Sequence, residues 1–220
     1  PVHGRPLRVD GSPKTAESVF SKDWSGNCDI DLSLLGDEER KMLSKAWTKA
    51  ALYEHASVAS FARFAMELLA LQAPPDLIMD ATEAQADEVI HAQICFAMAS
   101  TFGGTRWGPG ALNIHGNVAP PTAESVLIQT ILDACINETL AAAEADWLSH
   151  RTSIDAIQSA LGRIAEDEMK HATLGWKSIQ WLLDKHPELQ LAAQRTFQAA
   201  HNQALSERPA HAQDDWMAAY

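Results

Sequence analysis

Asp87-Glu88-Val89-Ile90-His91 is the stretch that decides how this chain is read, because it returns as Asp167-Glu168-Met169-Lys170-His171. In each copy Glu and His stand three residues apart, which places them on one face of a helix. A single Glu-x-x-His occurs in many helical proteins. Two copies, each on the second member of a helical pair, form a far more specific signal. The competing reading, a scatter of surface Glu and His, requires both motifs and both spacings to coincide.

Start-of-helix charge at Asp37, Glu38 and Glu39 opens a helical pattern that continues to about Gln72. Trp47, Ala51, Glu54, Val58, Phe61, Ala65 and Leu68 fall on one stripe of it. Pro74 and Pro75 end this helix, and Asp76 is the expected cap of the next, which runs to Phe102 and stops at Gly103 and Gly104. Residues 103–121 are rich in Gly and Pro and suit a long crossover. A third helix is predicted from Thr122, a plausible cap, to about His150. A turn near Arg151–Ser153 leads into a fourth helix ending near Lys185. No segment alternates with period two, so no sheet is expected.

The predicted fold class is therefore all-α: a four-helix bundle over 37–185 with a long crossover between helices two and three. An extended N-terminal arm (1–36) precedes it, with Phe20, Trp24, Leu32 and Leu35 as expected anchors. A short C-terminal helix to about Ser206 and a loose tail follow within 186–220.

The first helix of each pair offers a partner carboxylate. Antiparallel helices joined by a turn place residues equidistant from it at equal height. Glu54 and the Glu88/His91 pair centre near residue 72, beside Pro74-Pro75; Glu138 and the second pair centre near 154, on the predicted turn. Glu67 is the rival on helix one, but its face carries Ser60 and Arg63 and reads as solvated. Glu144 on helix three centres farther from its turn. Four Glu and two His converging on apolar stripes would be prohibitive to bury without cations. Oxygen and imidazole donors without thiolate suit iron or manganese. The candidate metal ligands are Glu54, Glu88, His91, Glu138, Glu168 and His171.

A formal net charge of −12 argues against nucleic-acid or anionic-membrane binding. No uninterrupted apolar run reaches the roughly 18 residues of a membrane span. Cys28, Cys95 and Cys135 form no CxxC pair and read as reduced thiols of a cytoplasmic protein. The last two are expected to be small buried side chains. His55 and His150 are expected on the surface. Ala134, Ala141, Ala142 and Ala145 beside Glu138 read equally as the wall of a substrate cavity and as good helix formers. The chain begins at Pro1 without an initiator Met, which leaves a removed leader open.

The ligand set resembles that of the ferritin-like di-iron carboxylate proteins, in which one Glu from each of two helices and a Glu-x-x-His from each of two others bind the metals. The resemblance covers roughly residues 40–185. It implies Glu54, Glu88 and His91 for one half of the site and Glu138, Glu168 and His171 for the other. The Asp before each Glu is similar to that of bacterial multicomponent monooxygenases, where it holds a ligand His; this implies that Asp87 and Asp167 orient the imidazoles. The Arg that often precedes the His there is replaced by Ile90 and Lys170.

Two His ligands are usual in oxygen-activating members and unusual in storage ferritins. The extra ligands of rubrerythrin-type and arylamine-oxygenase types are absent, with Ala141 or Ala142 and Ile164 in their places. The resemblance thus implies two iron ions, or manganese and iron, in an O2-dependent oxidase or monooxygenase acting on a small organic substrate. Electrons would come from an external ferredoxin or reductase, since no flavin or iron–sulfur motif is present. The alternatives are a ferroxidase or peroxide-scavenging metal-handling protein, and a non-catalytic helical protein with structural metals.

Overall fold

The computed structural model describes residues 4–9, 11–33, 35–115 and 120–206. The expected tail after Ser206 and the middle of the crossover lie outside them. With 72% helix and only very short strands, the chain is mostly helical, as expected of an all-α protein.

Helix α1 spans Asp37–Ala70, opened by the Gly36 N–H donating to Glu39 Oε2 at 2.8 Å and by three acidic residues in its first turn. Helix α2 spans Pro75–Gly103. Its N-cap is Pro74, with Pro75 as first helical residue, so Asp76 supplies first-turn charge and not the expected cap. It ends at Gly104, whose φ of 66° is left-handed and whose N–H reaches Ser100 O at 2.9 Å.

The third rod comprises α3 (Ala123–Thr130), a π-helical segment (Ile131–Glu138) and α4 (Thr139–Ser149). Thr122 caps α3, accepting from Ser125 N at 3.0 Å. Helix α5 spans Asp155–Lys185; a 3-10 turn at Pro187–Leu189 then leads to α6, Gln190–Ser206.

Packing pairs α1 with α2 and α4 with α5, and α2 meets α5 to join the pairs. Two apolar clusters result. One contains Trp47, Ala51, Cys95, Phe96, Ala145 and Ile164; the other contains Phe61, Phe64, Leu127, Ile131, Leu174 and Leu182. On every rod the candidate ligands fall in sequence between the residues of these clusters. Each fully buried Leu or Phe contributes ~1.5–3 kcal/mol, so the two clusters can support a polar layer between them.

The absence of strands was expected, and the structure corrects it on a small scale. Strands β1 (Arg8–Val9) and β2 (Ser12–Pro13) form a hairpin turning at Gly11, where φ is +76°. Strand β3 (Ser18–Phe20) pairs with β4 (Trp107–Pro109) of the crossover. Two or three residues are too few to show a period of two. Trp24, Leu32 and Leu35 pack on the first cluster as expected, but Phe20 is 65% exposed. The deepest anchors of the arm are Arg5 and Leu7, each 1% exposed.

Ala123–Ser149 is long and apolar enough by composition to cross a membrane, yet 56% of its apolar window is buried within the chain. Its inner face carries Asp133 and Glu138, as suits a core helix.

Candidate metal centre

Each helix delivers its predicted side chain to one level. Glu54 comes from α1, Glu88 and His91 from α2, Glu138 from the end of the π-helical segment, and Glu168 and His171 from α5. All six are at most 2% exposed. Their donor atoms form two groups: Glu54, Glu88, His91 and Glu168, and Glu88, Glu138, Glu168 and His171. Within each group one ligand atom per residue lies within 4.8 Å of all the others. Glu88 and Glu168 belong to both, so they can bridge two ions while Glu54 and Glu138 each serve one.

Both imidazoles aim Nδ1 inward. His91 Nδ1 lies 3.7 Å from Glu88 and from Glu168; His171 Nδ1 lies 3.4 Å from Glu88 and 3.9 Å from Glu168. The outer nitrogens meet Asp87 and Asp167 across the helix pair. His91 Nε2 is 3.3 Å from Asp167 Oδ2, and His171 Nε2 is 3.3 Å from Asp87 Oδ2. Each Asp accepts from the His of the opposite motif, which keeps the Nδ1 lone pair free for a cation.

A test of fit lies in the orphaned atoms. Both carboxylate oxygens of all four Glu, and Nδ1 of both His, are buried without a hydrogen-bond partner of ordinary geometry. Each uncompensated buried charge costs on the order of several kcal/mol. Burial and the neighbouring Glu88 push Glu54 well above the usual carboxylate range; burial and Glu138 do the same to Glu168. Burial also raises Glu138. Burial works the same way on Glu88, but the flanking His171 and His91 outweigh it and hold its pKa down to about 2. Burial would lower both imidazoles, but the carboxylates around them lift His91 to about 10 and His171 to about 9. A cation at the convergence of these lone pairs would take the place of the shared protons.

Cys95 and Cys135 are buried, as expected, and stand outside both donor groups. Burial pushes the Cys95 thiol well up and the Cys135 thiol to about 12, so both stay protonated. Ala134 packs against Gly175, Ala141 and Ala145 belong to the first apolar cluster, and Ala142 is buried beside them. A groove of about 270 Å³, lined by Asp80, Glu83, Asp87, Lys170 and Lys177 among others, reaches the edge of His171 from outside.

Two expectations need correction, and one buried acid was missed. The Ser60, Arg63 and Glu67 face of α1 is not solvated: Ser60 is fully buried, and the Glu67 side chain is 19% exposed beside Arg63. The N-terminal arm covers this face, with Arg63 Nη1 donating to Arg8 O at 3.2 Å. His55 is half-buried, packed edge-on to Trp24 at 5.3 Å, whereas His150 is exposed as expected. Asp133, absent from the candidate set, is 1% exposed, pairs with Arg8 at 3.5 Å and accepts from Gln129 Nε2; standing two residues from Ile131 and from Cys135 it shares no helix face with them, and nothing in the sequence marked it.

The chain matches no family model, and no curated protein or solved structure is significantly similar to it. The structure therefore stands alone as support for a mostly helical chain with buried Glu/His clusters that could hold a metal ion.

Proposed function

We propose that this chain is a ferritin-like four-helix protein holding two iron ions, or manganese and iron, and that it uses O2 to oxidise a small organic substrate. The observation that carries this reading is the overlap of the two donor groups, which share Glu88 and Glu168 and differ in one terminal Glu and one His each.

Glu88 and Glu168 would bridge the ions, with Glu54 and His91 completing one coordination set and Glu138 and His171 the other. Oxygen and neutral imidazole donors suit Fe or Mn over a thiolate-held zinc site. A reduced metal pair of this kind supplies electrons for reducing dioxygen. Asp87 and Asp167 hold the imidazole N–H groups and so fix ring orientation and tautomer. Phe61, edge-on to His171 at 5.1 Å, belongs to the apolar wall that keeps bulk water from the centre. Continued turnover calls for an external donor such as a ferredoxin or reductase. The three free cysteines suit a reducing, cytoplasmic setting.

Aerobic Fe2+ titration with oxygen-uptake recording tests the reading. Saturation at two irons per chain is the expected result. Uptake continuing to many irons per chain would replace the oxidase with a ferroxidase, and metal analysis finding fewer than two transition ions per chain would remove the di-metal centre.

A further inference from the structure

Arg5 is the least expected buried side chain in the molecule. It is 1% exposed, and Nε, Nη1 and Nη2 all lack a hydrogen-bond partner. Its guanidinium carbon lies 4.3 Å from the centre of the Phe64 ring and 5.0 Å from that of Phe61. Asp133, Glu138 and Glu67 attract its charge, and Arg63 opposes it. The preceding residue, Gly4, rests on two of the candidate metal-site carboxylates: a Cβ there would stand 3.1 Å from Glu168 Oε1 and 3.3 Å from Glu138 Oε2. The seat of Arg5 is therefore continuous with the candidate metal centre.

This seat has the make-up of a cation site, with two aromatic faces and surrounding carboxylates. Arg5 satisfies it poorly, since its three buried nitrogens find no acceptor there. Farther along, the arm is tied to the crossover by β3–β4 pairing, but among the described residues the stretch 4–9 makes few polar contacts with the helices. Leu7 N–H donates to Ala56 O at 3.2 Å, Arg63 reaches Arg8 O at 3.2 Å, and Arg8 meets Asp133 at 3.5 Å. Lifting the arm removes Arg5 and Arg8 together. Glu67 then keeps Arg63, Asp133 keeps the neutral Gln129, and the vacated pocket has lost two positive charges.

We propose that the Arg5 seat is a binding pocket for an organic cation, an alkylamine or alkylguanidinium, which the chain's own arm occupies as a tethered ligand. This deepens the proposed function, on which it rests, by naming the class of substrate that reaches Glu138 and Glu168 once the arm lifts. A carboxylate-bearing molecule is excluded by charge.

The test is calorimetric titration of metal-free protein with n-butylguanidinium and with n-butylurea, its neutral near-isostere. The guanidinium should bind Arg5→Ala at least ~10-fold more tightly than the wild type, where the seated arm competes, and the urea should bind neither. No guanidinium binding to folded Arg5→Ala, or equal binding of the urea, overturns the pocket. Should Arg5→Ala fail to fold, the wild type decides. Saturating n-butylguanidinium should speed deuterium uptake across residues 4–9, and unchanged uptake overturns the proposal. Guanidinium binding to a chain that takes up no metal upholds the pocket and sinks the oxidase reading.

Discussion

Glu54 and Glu138 hold equivalent places in the two helical pairs, yet the chain presents them differently. Glu54 sits on an uninterrupted α-helix of 34 residues, and Glu138 closes an eight-residue π-helical segment. The reason lies across the interface, where α5 carries Gly175. A Cβ at that position would stand 2.5 Å from Ala134 Cβ and 3.3 Å from Cys135 N. Helix α5 thus comes close enough to touch the backbone of the third rod, which widens there. The arm, through Gly4, also rests on Glu138 and Glu168. The two halves repeat the chemistry and differ in mechanics: the α1–α2 half is regular, and the other carries the wide helical turn often found at functional sites.

The largest effect should separate shared from unshared carboxylates. Glu88→Ala and Glu168→Ala should each abolish uptake of both ions, because each residue belongs to both donor groups. Glu54→Ala and Glu138→Ala should each leave one ion per chain. Metal analysis after gel filtration reads the count. If all four variants lose the same number, the two halves do not share a bridge.

Protons give the next contrast. His91 and His171, with pKa raised to about 10 and about 9, bind protons more tightly folded than unfolded. Their stabilisation of the metal-free chain is complete below the ordinary His value of about 6.5 and is lost as pH rises through 9 to 10. The raised Glu54 and Glu168 act in the same direction from lower pH. Metal ions need these groups deprotonated, so loading should release protons and tighten as pH rises. Denaturation followed from pH 6 to 10 should show the metal-free chain weakening while the loaded chain gains on it. Parallel curves would mean that the metal does not enter among these groups.

The convergence of the six candidate side chains was legible because two motifs and a turn-centred spacing fix helical height, and height is a property of sequence distance. How the outer imidazole nitrogens cross to the opposite Asp was not legible, because that depends on helix rotation. Nor was the π-helical turn, since residues 131–138 carry no composition that separates it from an ordinary helix. Arg5 was hidden for a third reason. A lone Arg between Gly4 and Pro6 belongs to no periodic pattern, and its burial depends on a surface assembled from α1 and the third rod. The same arm turned the Ser60, Arg63 and Glu67 face from a solvated face into a covered one.

The crossed Asp–His pairs predict a smaller difference between the halves. The Asp167 side chain is 9% exposed and also bound by Lys170 at 2.7 Å; that of Asp87 is 28% exposed. Replacing such a partner by Asn lowers metal affinity by about 10–100-fold. Asp167→Asn should fall at the upper end and Asp87→Asn at the lower, because water can replace the more exposed carboxylate. Competition with a chromophoric chelator measures both, and the reverse order would break the ranking by exposure.

The smallest effects compare two glycines on α5, and they test the explanation for the π-helical turn. Gly162 has nothing within 4 Å of an added Cβ, and Gly175 has Ala134 at 2.5 Å. Gly162→Ala should stabilise the chain by ~0.5–1 kcal/mol, the ordinary gain of Ala over Gly inside a helix. Gly175→Ala gains the same propensity but must push the third rod away, and overpacking of this kind costs ~1–3 kcal/mol. The net change at Gly175 should therefore be destabilising, with opposite signs for two identical substitutions 13 residues apart. Urea denaturation of the metal-free variants resolves the signs. Two stabilising results would show that close approach at Gly175 is not what holds the third rod in its wide turn.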